Sequence, residues 1–238
     1  MSQSPIDTHK SVAIMQPYLF PYLGYFQVMN AVDEYVIYDD VNFIKGGWIN
    51  RNNILMQGNK QLISIALSGA SPNKLINEVG IGDNFVKFQK TIDLAYAKAP
   101  YRADVVALIA RICSFGDHNL AHFTANSLRE IATYLGITTK LTLSSGLKKD
   151  TTLRAQDKVI AICQELGAGT YINSIGGQEL YSQADFAAAG INLKFLNMNH
   201  IEYPQFGGEF IAGLSIIDVM MFNSPQRASE LLEEYELV

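Results

Sequence analysis

Short apolar runs alternate with amphipathic stretches at both ends of the chain, and a block of helical periodicity separates them. Residues 11–16 (SVAIMQ) and 35–39 (YVIYD) are β-rich and predict two strands. Between them, residues 22–32 place Gly24, Gln27, Val28, Ala31 and Val32 at i, i+3 and i+4 spacing, which is one face of a helix. The opening therefore reads strand, proline-containing loop, helix, strand. A polar loop, DDVNFIKGGWINRNN (39–53), follows, then a strand candidate at 61–67 (QLISIAL) and the turn-rich GASPNK.

Three amphipathic stretches come next, at 83–98, 101–113 and 119–135, divided by Pro100 and by Gly116-Asp117, with Gly136 placed to close the third. Alternation then resumes: strands at 139–145, 170–174 and 191–196 interleave with helices at 153–166 and 179–189. Two terminal helices, Ser215 to Phe222 and Pro225 to Tyr235, meet at Asn223-Ser224-Pro225, with the proline at a permitted first-turn position. The pattern predicts an α/β fold: a Rossmann-like, mostly parallel sheet flanked by helices, with a helical insertion or lobe near 83–136. No linker or repeat interrupts it, so residues 1–238 are expected to form one domain.

Composition narrows the setting. With 238 residues, 48% of them hydrophobic and 17% charged, the chain is able to bury a sizeable core. A formal net charge of −5 and no Lys/Arg cluster leave nucleic acid without an electrostatic basis as a partner. The two cysteines, Cys113 and Cys163, lie in separate apolar runs and read as reduced, buried thiols. The start, MSQSPIDTHK, has no signal pattern, and no stretch reaches the roughly 18 apolar residues of a membrane span. A cytoplasmic location without a membrane span is the expectation, and the chain is compatible with a homo-oligomer.

GxxxxGK[ST], GxGxxG and GxSxG are all absent. His118 and His122 are spaced i, i+4, but Asn119 follows the first, so the pair is not HExxH and reads as surface histidines. Ser215 and Asp218 ahead of an apolar run read as a capping-box variant. Gly176-Gly177, between a strand and a helix, suits either an anion-facing turn or a tight turn with no ligand; Tyr171, Asn173 and Ser174 would line the same rim.

Two loops carry the strongest candidate chemistry, and both leave strands expected to lie side by side. The first runs from Gln16 to Phe20, the second from Asp39 to Arg51. The second offers Asp39, Asp40, Asn42, Lys45, Trp48, Asn50, Arg51, Asn52 and Asn53, a mixture of acceptors, cations, amides and one flat ring suited to a polyhydroxylated or phosphorylated small molecule. A metal fits less well, because adjacent residues on a strand point oppositely and only one of Asp39 and Asp40 is expected to face a site, as base or ligand.

The run IMQPYLFPYLGYFQVMNAVDEYVIYDDVNFIKGGWINRNNI, together with KAPY (98–101), YINSIGGQELY and SIIDVMMFNSP, resembles the WbqC-like protein family over nearly the whole chain. That family occurs in bacterial gene clusters for O-antigen (lipopolysaccharide) and other surface polysaccharides. The resemblance implies modification of an activated sugar, with a nucleotide sugar as small-molecule partner and no cofactor named; the leading expectation is a transferase that joins an acyl or aminoacyl group to the amine of a nucleotide-linked amino sugar. The resemblance carries over Gln16, Pro17, Tyr18, Tyr22, Gly24, Asp39, Asp40, Lys45, Trp48, Asn50 and Arg51, and a second polar patch of His200, Tyr203 and Gln205. Asp39, Asp40 or His200 is then the expected base; Lys45, Asn50 or Arg51 steadies an oxyanion or phosphate; Tyr18 or Trp48 is the stacking platform.

A second resemblance concerns the opening alone, which is similar to the start of HxGH nucleotidyltransferase-like folds and implies an ATP-dependent amide ligase. Here Tyr22 and Tyr25 stand at the histidine positions, and a phenol stays neutral near pH 7 where an imidazolium would neutralise phosphate charge. A non-catalytic sugar-nucleotide-binding or scaffolding protein is the third alternative.

Overall fold

The computed structural model describes residues 7–238; residues 1–6, on which the leader reading falls in part, lie outside the described residues. The chain runs β1 (Asp7–Met15), α1 (Leu23–Asn30), β2 (Glu34–Ile37), a hairpin β3 (Arg51–Met56) and β4 (Asn59–Ser64), and a two-stranded pair β5 (Leu67–Ser68) and β6 (Gly80–Ile81). Three helices follow, α2 (Phe85–Ala95), α3 (Arg102–Cys113) and α4 (Leu120–Tyr134). Alternation returns with β7 (Lys140–Leu143), α5 (Ala155–Glu165), β8 (Ala168–Ser174), α6 (Gln183–Ala188) and β9 (Asn192–Met198). The chain ends with α7 (Ile216–Phe222), α8 (Pro225–Glu230) and β10 (Tyr235–Leu237).

Six strands form one sheet in the order β10-β9-β8-β1-β2-β7, parallel throughout except for β10, which runs antiparallel to β9. The chain starts at the centre, winds outward through β2 and β7, then returns to the other side of β1 through β8, β9 and β10. The winding therefore reverses between β1 and β8.

Period-two alternation explains why this sheet is covered on both faces. Val12, Ile14 and Val36 point to one side and join Val159, Ile162 and Cys163 of α5 and Phe186 of α6. Ala13, Tyr35 and Ile37 point to the other, into the larger core with Tyr25, Val28 and Met29 of α1 and the apolar faces of α3 and α4. Cys113 and Cys163 are buried and unpaired, and burial pushes both thiols up to about 12. No helix among the described residues is long and apolar enough to cross a membrane.

The helical block sits at 85–134 with the expected punctuation. Asn119 caps α4 by accepting from the amides of Ala121 (2.9 Å) and His122 (3.2 Å), and Gly136 ends it with φ +76°. Three expectations fail locally. The polar loop stops at Asn50, because Arg51, Asn52 and Asn53 already belong to β3. Asn52 hides that strand from a hydrophobicity pattern: it is a buried amide donating to the carbonyls of Leu19 (3.1 Å) and Phe20 (2.7 Å). The segment expected as a helix from 179 breaks into a 3-10 turn at Ile175–Leu180 and α6, and the segment from 225 stops at Glu230. A 3-10 turn at Leu231–Glu233 follows, and Tyr235 begins the edge strand β10, opposite Met198, with Leu237 opposite Leu196.

Candidate functional site

In a doubly wound sheet, loops beyond the carboxyl ends diverge where the strand order reverses, leaving a crevice. Here that place is the end of β1 beside β8, and the aromatic run after β1 is partitioned by it. Leu19 and Phe20 turn inward and are fully buried, while Gln16, Pro17, Tyr18 and Tyr22 line a cavity of about 450 Å³. The loop is clamped in this pose. Leu19 donates its amide to Ile49 (3.0 Å), the Phe20 carbonyl accepts from Asn52 and from the Ser215 hydroxyl (2.7 Å), and Ile216 donates to the Pro21 carbonyl (2.7 Å). These bonds hold Phe20 at φ +44°, a conformation that costs a residue with a Cβ about 1–3 kcal/mol.

Gly24 positions the next aromatic. A Cβ there would lie 2.5 Å from the Tyr22 ring, so the absence of a side chain lets that ring lie against the start of α1. From this seat the Tyr22 hydroxyl reaches the Ser174 hydroxyl at 3.5 Å, bridging the ends of β1 and β8. Tyr18 accepts from the Tyr22 amide at 3.4 Å, and burial raises its phenol well above the ordinary value. Tyr25 does not reach the cavity: it is fully buried and donates to the Gln16 carbonyl at 3.2 Å. Of the Tyr-Leu-Gly-Tyr pair, only the first tyrosine faces the crevice.

The far wall is the segment 44–51, built from two successive turns: Gly47 donates to Ile44 (3.1 Å) and Arg51 donates to Trp48 (3.0 Å). Gly46 sits at φ +81°, which favours glycine. Ile44, Gly47, Trp48 and Ile49 face the cavity, which Asn52 and Gly213 complete. The lining contains no residue that is charged at neutral pH, and the Trp48 ring stands 54% exposed at its lip.

The other candidate residues divide into groups. Asp39 is fully buried, and its carboxylate accepts from the Ser145 amide (2.9 Å), the Ser145 hydroxyl (2.6 Å) and the Asn77 amide group (3.4 Å), tying the end of β2 to the end of β7. Asp40 points elsewhere, as adjacency requires, and pairs with Lys149 (2.9 Å) and Lys158 (3.2 Å). Burial opposes the Asp40 charge, but the nearby Ser144 hydroxyl and the two ammonium groups outweigh it and hold the carboxyl below its usual range. Neither carboxylate lines the cavity. Lys45, Asn50 and Arg51 lie on the opposite face of the same segment, where Asn50 donates to the Ile65 carbonyl (2.9 Å) and Arg51 Nε to the Gly47 carbonyl (2.7 Å).

Beyond β9, His200 is solvent-exposed with Nε2 3.0 Å from Glu202. Gly176 and Gly177 lie in the 3-10 turn after β8 rather than in the cavity lining. A side chain at Gly177 would meet the Asn173 amide at 2.8 Å, whereas Gly176 faces open space.

Tyr203 and Gln205 lead to a centre that the sequence pattern does not single out. Each donates to Asp218 at 2.7 Å, and Tyr96 donates to its other oxygen at 2.8 Å. Ser215 caps α7 as expected, accepting from the Ile217 amide at 3.3 Å, but Asp218 serves this buried triad and not a free helix end. Burial raises the Asp218 carboxyl above its ordinary value although all three donors favour its charge. An acid in the apolar run IIDVMMF was the available signal. Gln205 also donates to the Ile211 carbonyl (3.2 Å) and accepts from the Ile211 amide (3.0 Å), two residues before the Gly213 that lines the cavity. Among the described residues, no group of three or more His, Cys, Asp or Glu could hold a metal ion.

A family model, that of the WbqC-like protein family, matches residues 16–230. The uncharacterized protein Rv1507c of Mycobacterium tuberculosis is 27% identical over 228 residues, which cover 94% of this chain and 97% of that protein. No solved structure matches.

Proposed function

The chain belongs to the WbqC-like protein family, and we propose that it is a transferase acting on a nucleotide-linked amino sugar, joining an acyl or aminoacyl group to the sugar's amine in surface-polysaccharide synthesis. The observation that carries this reading is the cavity at the reversal of the sheet, uncharged, walled by Tyr18 and Tyr22 and lipped by an exposed indole. A flat ring stacked on Trp48 would cover apolar surface that water now touches, and about 450 Å³ falls within the range of small-molecule sites. Gln16 supplies a directional polar contact to such a ring.

In this reading the Tyr22 and Ser174 hydroxyls, facing each other at 3.5 Å, donate to the oxyanion that forms as the amine attacks the acyl carbon. His200, exposed after β9 and outside the cavity lining, is assigned the amine proton, and the intermediate collapses by breaking the acyl–sulfur bond of the acyl-CoA donor, whose thiolate leaves. Asp39 and Asp40 are engaged in holding strand ends and are given no catalytic part.

One observation favours a second reading, a binding protein without catalysis: the cavity lining offers no histidine, carboxylate or ammonium group to move a proton. Mass spectrometry of the protein with UDP- or dTDP-amino sugars, acyl-CoA, amino acids and ATP separates the two. Acylated sugar with free CoA supports the transferase, and AMP release supports an ATP-dependent ligase instead. Binding without product supports the second reading, and no binding of any nucleotide sugar overturns both.

A further inference from the structure

We propose that the segment 44–51 builds a second binding site on its other face, an oxyanion pocket that takes a phosphate-type group through Lys45 and Arg51. A cavity of about 430 Å³ opens there, and none of the residues lining it is acidic. Neither of its cations is neutralised among the described residues, and Arg51 is held in place. Arg51 is anchored twice, by its place opposite Ser64 at the start of the β3–β4 hairpin and by the Nε bond to the Gly47 carbonyl at 2.7 Å. The guanidinium lies over Gly46, where a Cβ would sit 3.2 Å from Nη2, so a residue larger than glycine would crowd it. Among the described residues its terminal nitrogens have no hydrogen-bond partner, and neither Arg51 nor Lys45 belongs to an ion pair.

A guanidinium fixed by its Nε presents its remaining N–H groups in a fork that matches two oxygens of a phosphate, and an ammonium beside it adds a second positive charge. Ser64 and Ser71 place hydroxyls on the same wall. The two faces of the segment are therefore chemically opposite: Ile44 and Trp48 serve an uncharged cavity, Lys45 and Arg51 a cationic one. The phosphate has two sources, the diphosphate of a nucleotide whose base lies in the first cavity, or a separate phosphorylated compound.

Isothermal titration of the full chain with inorganic pyrophosphate tests the site. Saturable binding is expected that weakens with added salt, falls roughly tenfold in Lys45→Gln, and is unchanged in Trp48→Ala. Arg51→Lys keeps the charge but loses the fork, and is also expected to bind less tightly, with melting curves confirming that both variants fold. Displacement of pyrophosphate by UDP points to one ligand spanning both faces; simultaneous binding points to two compounds. Pyrophosphate that does not bind, or binds Lys45→Gln as tightly as the unaltered chain, overturns the proposal. Failure of nucleotide sugars to bind while pyrophosphate still does would remove the proposed function and leave this site standing.

Discussion

The ends of β1 and β2 are neighbours, with Met15 opposite Ile37, yet they are built in contrasting ways. Beyond β2 the two adjacent acids are consumed by the fold: Asp39 is bonded to Ser145 and Asn77, and Asp40 is paired with two lysines. Beyond β1 there is no charge, and the chain is held open by proline, buried aromatics and backbone clamps. The difference follows from topology. β2 lies between β1 and β7, all wound in one direction, so its exit is crowded by the exit of β7. β1 borders the reversal, where the neighbouring loops part. A dense set of acids and amides is thus no guide to openness.

The contrast breaks most visibly at Asp40. Asp40→Ala would leave Lys149, with 2% of its side chain exposed, and Lys158, with 8%, buried without a counter-charge. Urea unfolding should show a loss of about 3–5 kcal/mol. A loss below about 1 kcal/mol would mean that the β2 end is not a structural lock. Gly24→Ala is the matching change at the β1 end. Its methyl displaces the Tyr22 ring, with an expected cost of about 1–3 kcal/mol and loss of nucleotide-sugar binding in calorimetry.

Acidity sharpens the comparison next. The Asp40 carboxyl is held low, so its stabilisation is present above the ordinary carboxylate value of about 3.9 and is lost as pH falls through the lower folded value. Asp218 is raised, so its contribution is present below that ordinary value and is lost as pH rises through the higher folded one. Unfolding measured across pH should therefore give an acid limb that flattens in Asp40→Asn and an opposing slope that disappears in Asp218→Asn. The smallest effect on stability belongs to the lip: Trp48→Ala, at a 54% exposed residue, should change it by no more than about 0.5 kcal/mol while weakening nucleotide-sugar binding.

Much of the fold is legible in the sequence because apolar periodicity reports the elements that bury one face. The β1–α1–β2 unit and the helices α2 to α4 follow from spacing alone. β3 and β10 do not. Buried Asn52 interrupts the pattern of β3, and β10 continues a run, LLEE, with good helix propensity, so pairing with β9 decides where the helix gives way to strand. The site divides in the same way. The aromatic loop could be placed at a strand end from its prolines and the strand before it. The direction each side chain takes within the turns of segment 44–51 could not, because two consecutive turns send Lys45 and Trp48 to opposite faces. Asp218 stayed hidden because its donors, Tyr96, Tyr203 and Gln205, are distant in sequence or lie on a loop without periodicity.

Trp48 is the only tryptophan in the chain, and it stands at the cavity that the proposed function requires. Its fluorescence, followed while UDP- and dTDP-sugars are titrated into the full chain, reports on that cavity without any label. A saturable change with at least one nucleotide sugar, weakened when Tyr18 is replaced by alanine, is the expected result. A signal that stays flat with every nucleotide sugar would contradict the account.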